Sequence, residues 1–147
     1  MREKHLPKRD LAEITVDTTV QEKNVTHPTD SKLLYKAIVK LVGAAQVRGI
    51  PLRQSYIRVG KRAAVMAGRY VHAKQFKRMR RQLRKLRTYV GRLIRDIRRK
   101  TTGIDEELAI LLTRADRIRG QQIKDQNKLY SLHEPEVQCI RAFSEIV

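Results

Sequence analysis

The sequence predicts a mainly α-helical protein, a helical hairpin or bundle set between two short strand-like runs. Three observations carry this. Apolar residues recur at spacings of 3 and 4 from Phe76 to Ile97, over three heptads. Two further apolar stripes, in residues 34–45 and 104–118, keep the same spacing. Strand-like composition is confined to residues 14–20 and 129–133.

The first run is Ile14, Thr15, Val16, Asp17, Thr18, Thr19 and Val20. Its β-branched residues favour a strand. Alternation puts Asp17 on one face with Thr15 and Thr19, and Ile14, Val16, Thr18 and Val20 on the other. From the run alone Asp17 is either a solvated acid on an edge strand or a carboxylate held up to bind a metal.

Asp30 suits the N-cap of a helix beginning at Ser31. Leu34, Ile38, Leu41 and Ala45 give that helix its apolar stripe, and Gly49 with Pro51 stops it. A second helical stretch starts between Arg53 and Arg62, weakened early by Gly60 and Gly68. Its strongest part is the seam of Phe76, Met79, Leu83, Leu86, Val90, Leu93 and Ile97. Thr101, Thr102 and Gly103 break the pattern. Ile104, Leu108, Leu111, Ala115 and Ile118 then mark a third helix, with Asp105, Glu106 and Glu107 in its first turn. So short a break predicts an antiparallel hairpin, with the acidic start of the third helix beside the basic end of the second. Leu129 to His133 reads as a second strand, stopped by Pro135.

The formal net charge is +18 over 147 residues, and it is unevenly placed. Residues 31–100 hold 22 basic side chains and one acid, Asp96, while the two flanks are each slightly acidic. A field of this size attracts polyanions, and nucleic acid is the expected partner. Lys77, Arg78, Arg80, Arg81, Arg84, Lys85, Arg87, Arg92, Arg95, Arg98 and Arg99 are the candidate DNA-binding residues. Tyr89 falls just off the seam, as core edge or as a base-stacking group. Nothing points to sequence readout, so phosphate contacts are expected.

Other classes are disfavoured. No apolar run approaches the ~18–20 residues of a membrane span. No secretory signal follows Met1, and Cys139 is the only cysteine, so an internal disulfide is impossible and a cytoplasmic, nucleoid-associated location is expected. His5, His27, His72 and His133 are scattered without zinc-ligand spacing.

Three blocks resemble one family. Residues 16–24 (VDTTVQEKN), with His27, Pro28, Thr29, Asp30, Leu33 and Leu34, look like the first catalytic block of DDE-type transposases of bacterial insertion sequences. Residues 52–61 (LRQSYIRVGK) and 128–140 (KLYSLHEPEVQCI) are similar to later parts of the same family, in the family's order. The resemblance spans roughly residues 12 to 140. It implies an RNase H-like α/β core whose first strand carries the first metal-binding acid, here Asp17. It further implies Mg²⁺ or Mn²⁺ as cofactor, with phosphodiester cleavage and strand transfer as the reaction.

On this resemblance, residues 1–29 hold the first core strand, 30–126 a basic helical insertion, 127–140 the second core strand and 141–147 a divergent tail. The core is then incomplete. The family's second Asp and its Glu have no counterpart, and Glu134 and Glu136 do not match positions of catalytic acids. The expectation is a transposase fragment that binds DNA and is catalytically incomplete. Two alternatives stand beside it. One is a non-enzymatic helical module for nucleic acid, including RNA. The other is a helical partner that pairs with full-length transposase and inhibits it, and self-association through the seams is equally open.

One carboxylate cannot hold two catalytic metals. The 147-residue chain is therefore expected neither to nick nor to join DNA in Mg²⁺ or Mn²⁺. Metal-dependent nicking that disappears in Asp17→Ala would contradict this.

Overall fold

The computed structural model describes residues 30–122 and 125–133. It is mainly α, with helices α1 (Asp30–Val47), α2 (Ile57–His72), α3 (Phe76–Lys100) and α4 (Glu106–Gly120). The run at 14–20, with Asp17, lies outside the described residues, as do Glu134, Glu136 and the tail at 141–147.

α1 follows its predicted stripe: Leu34, Ile38, Leu41 and Ala45 are all fully buried. Asp30 lies within its first turn. Its end is a Schellman turn. Gly49 adopts φ 63, a left-handed conformation that glycine takes without penalty. Ile50 N–H donates to Ala45 O at 2.9 Å, and Gly49 N–H to Gln46 O at 3.1 Å. These bonds satisfy carbonyls that the helix end would otherwise leave open.

The stretch expected as one helix from about residue 57 to 100 is two, so four helices replace three. α2 ends in the same kind of turn as α1, with Lys74 at φ 54 where glycine is usual. Gln75 N–H reaches Tyr70 O at 2.8 Å and Lys74 N–H reaches Val71 O at 3.0 Å. A lysine in this position gives no warning in the sequence.

The α3 seam is buried from Leu83 through Leu86, Val90 and Leu93 to Ile97. Its first residue is not: Phe76 is 51% exposed and Met79 only half-buried. α3 packs on α1, α2 and α4, and α1 likewise touches the other three. These two helices form the centre, and α2 and α4 flank them without meeting. The seam is thus occupied inside the molecule. Burial of its large aliphatic side chains, at about 1.5–3 kcal/mol each, is the principal drive for this packing.

α4 runs back along α3: Arg119, at its end, lies over Gly91 in mid-α3. The predicted hairpin is present. Its seam is shifted, however. Leu108, Leu112, Ala115 and Ile118 are buried, whereas Ile104 is 46% exposed and Leu111 half-buried.

The second strand is corrected over its described part. Residues 125–133 are irregular, and there is no strand among the described residues. Side chains from α4 and its C-cap replace a neighbouring strand. The Gln121 amide accepts from Leu129 N–H at 3.0 Å and donates to Leu129 O at 3.0 Å. Arg117 donates to Asn127 O at 2.8 Å and Arg114 to Leu132 O at 2.9 Å. Leu129 and Leu132 are both buried, a spacing of three that an alternating strand would not give.

Two glycines of α2 differ in a testable way. A Cβ on Gly60 would lie 3.0 Å from Cδ1 of the buried Ile38, whereas one on Gly68 meets nothing within 4 Å. Gly68→Ala should stabilise the protein by about 0.5–1 kcal/mol through helix propensity. Gly60→Ala should gain nothing or lose, because the buried Ile38 side chain must shift to make room. Urea midpoints decide, and equal gains would contradict the close approach.

Candidate nucleic-acid interface

α3 has 25 residues and extends about 37 Å at 1.5 Å per residue. Its apolar side is buried, so its many cations crowd the opposite side. Lys77, Arg78, Arg80, Arg81, Arg84, Lys85, Arg92, Arg95, Arg98 and Arg99 are all exposed. Arg78 donates to Gln75 Oε1 at 3.1 Å. The side chains of Lys77, Arg80, Arg81, Arg84, Lys85, Arg92, Arg95 and Arg98 have no hydrogen bond or ion pair among the described residues.

Arg87 is different. It is half-buried and donates to Gln121 O at 3.1 Å, with its Nε buried and without a partner. It ties α3 to the end of α4 and does not belong to the open basic face. Its position beside the seam residue Leu86 was the available sign. Arg114 and Arg117 likewise hold the 125–133 segment by its carbonyls. Tyr89 is core edge: it is half-buried and stacks on Tyr56 with ring centroids 4.8 Å apart.

The acidic start of α4 forms its ion pairs with Arg48, just past the end of α1, and not with the basic end of α3. Arg48 donates to Asp105 Oδ1 at 2.8 Å and to Glu107 Oε2 at 3.0 Å. Its guanidinium holds the Asp105 carboxyl down to about 2.

Asp96, the one acid among residues 31–100, has a structural task. It is 7% exposed. Its Oδ2 accepts from Arg53 N–H at 2.8 Å and from Lys100 Nζ at 3.2 Å. Lys100 also donates to Pro51 O. The Arg53 hydrogen bond, ahead of Lys100, lowers the Asp96 pKa. These bonds fasten the 51–56 loop to α3. Beside them lies a cleft of about 250 Å³, lined by Arg53, Gln54, Tyr56, Arg92, Arg95 and Arg99. Asp96 was findable as the only acid among residues 31–100, one position from the seam residue Ile97.

No group of three or more His, Cys, Asp or Glu side chains that could hold a metal occurs among the described residues. No described helix is long and apolar enough to cross a membrane.

No family model and no solved structure matches the chain. An uncharacterized protein, ORF8 in the nfe locus of Rhizobium meliloti, is 59% identical over 66 residues. That match covers 45% of this chain and 32% of the relative, so it spans about a third of the relative's length.

The acid pairs set a pH dependence. Asp105 and Asp96 both have lowered pKa values in the folded state. Their contribution is complete above the unfolded value, near about pH 4. It is lost as pH falls through the folded values, towards about 2 for Asp105. Asp105→Asn should therefore flatten the stability profile between these limits in an acid titration followed by circular dichroism. Asp96→Ala leaves Arg53 N–H without its acceptor and Lys100 without its ion-pair partner. It should cost about 1–3 kcal/mol and speed hydrogen exchange at the Arg53 amide. An unchanged exchange rate would remove Asp96 from this role.

Proposed function

We propose that this chain binds duplex DNA without sequence preference through the open face of α3, as the basic helical part of a DDE-type transposase with an RNase H-like core. The observation that carries the DNA reading is the row of exposed cations along a single rigid helix. Eight of them lack any partner among the described residues. Twelve net positive charges over residues 74–100 exceed what solubility requires. A helix side of this length spans several phosphates, and neutralising them releases counterions.

The transposase part rests on the sequence blocks around Asp17, Arg53 and Lys128. In that reading Asp17 is the first metal-binding acid, and Mg²⁺ or Mn²⁺ would supply the activation of the attacking oxygen. Asp17 lies outside the described residues. DNA binding by α3 would deliver a phosphodiester to such a site without taking part in its chemistry. Pairing with full-length transposase through the seam has less support, because the seam residues Leu86, Val90 and Ile97 are fully buried in this chain.

Affinity for a random-sequence duplex should fall steeply with salt, each neutralised phosphate adding about −0.9 to the slope of log K against log salt. About six contacts imply a loss of roughly a thousandfold between about 50 and 200 mM. Replacing Arg80, Arg81, Arg84 and Arg98 by Gln should reduce the slope by several units and preserve helix content, since Gln is a good helix former. Asp17→Ala should leave binding intact. A flat salt response, or an unchanged slope in the fourfold variant, would refute the proposal. Tighter binding to folded RNA than to duplex would favour the RNA alternative.

A further inference from the structure

We infer that the cleft between the 51–56 loop and α3 seats one phosphate group of the nucleic-acid backbone, and that this seat fixes where a duplex lies along α3. The inference rests on the DNA reading for the source of its ligand.

The cleft differs from the rest of the basic face in shape. Most α3 cations stand on a convex helix surface, where phosphates can slide past them. Arg92, Arg95 and Arg99 instead line, together with Arg53 from a separate segment, a cleft of about 250 Å³. Their spacing of 3 and 4 puts the three α3 arginines on one side of the helix. Guanidinium groups present planar forks that match phosphate oxygens two at a time. Four of them around one concavity make a geometry for a tetrahedral oxyanion.

The cleft's charge is not cancelled internally. Asp96 is the acid that lines it. Its Oδ2 accepts from Arg53 N–H and Lys100, and its Oδ1 lies 3.2 Å from Lys100 Nζ. Lys100 offsets the carboxylate, which leaves the four guanidiniums as the excess. Arg53, Arg92 and Arg95 have no side-chain partner among the described residues. Cations gathered this way repel one another until an anion enters.

The walls are also held in place. Asp96 grips the Arg53 amide, and Lys100 grips Pro51 O. Tyr56, which lines the cleft, has φ 58, a costly conformation for a bulky residue. Its stacking on Tyr89 fixes it there. A strained residue held this way in the cleft wall supports a prearranged site, and prearrangement lowers the cost of binding.

The test uses the full chain and two measurements. In the first, backbone amides are followed by NMR during titration with sodium phosphate, against sodium chloride at equal ionic strength. We expect saturable shifts at Gln54, Ser55, Tyr56 and Asp96 that chloride does not reproduce and that Arg92→Gln/Arg95→Gln abolishes. In the second, duplex affinity is compared for Arg53→Gln/Arg99→Gln and for Arg80→Gln/Arg84→Gln. Both remove two charges from exposed positions, and circular dichroism checks that both fold. The cleft pair should lose about tenfold more affinity than the control pair, the scale of one additional charged hydrogen bond. Equal losses, or phosphate shifts matched by chloride, would overturn the seat while leaving general DNA binding by α3 standing. Absence of duplex binding in the native chain would refute the function proposed above. Saturable phosphate shifts without duplex binding would overturn the backbone phosphate as ligand and assign the cleft to a free phosphate compound.

Discussion

The Asp96 carboxylate fastens the α1–α2 connection to α3 in the middle of the basic region. Residues 31–100 carry 22 cations, and Asp96 is the only acid among them. Its bonds to the Arg53 amide and to Lys100 hold the α1–α2 connection against α3. The Tyr56–Tyr89 stack secures the same connection about two turns away along α3. α2 starts immediately after Tyr56, so the position of α2 on α3 follows from this attachment. Two hydrogen bonds to a buried charge are individually worth a few kcal/mol at most. They act here as a register mark for a packing that aliphatic burial drives.

The arginines divide into two populations with different physics. Arg48, Arg87, Arg114 and Arg117 reach backbone carbonyls or carboxylates of other segments. Each closes a gap that secondary structure leaves open. Arg114, Arg117 and Gln121, for example, satisfy the irregular 125–133 segment in place of a neighbouring strand. Arg80, Arg81, Arg84, Arg92, Arg95 and Arg98 extend into solvent with no such partner among the described residues. The overall charge of +18 counts both populations alike. Only the second is available to a polyanion.

The helices were legible because their stripes are regular. Leu34, Ile38, Leu41 and Ala45 in α1, and Leu83 to Ile97 in α3, are buried as their spacing requires. Three features escaped for physical reasons. The turn between α2 and α3 uses Lys74 where glycine would have signalled it. The α4 core uses Leu112, which a strict alternation of 3 and 4 from Ile104 passes over. Leu129 to His133 has strand-like composition, but its described backbone bonds with side chains of α4 and Gln121. Composition reports what a segment prefers, and the available partner decides what it forms.

The sequence by itself determined that this chain is mainly helical, that α1 and α3 present apolar sides, and that one segment, residues 31–100, carries the net positive charge. Those properties are local: they depend on spacing along a helix and on side-chain type. Only the tertiary structure decided that the α3 seam is satisfied within the chain, that Arg87 is a fastening and not part of the open face, and that Arg53 lines one cleft with Arg92, Arg95 and Arg99. Those properties join residues about 40 positions apart, and the Asp96 hydrogen bond to the Arg53 amide brings them together. No periodicity encodes such a meeting, because it depends on how two separate elements dock.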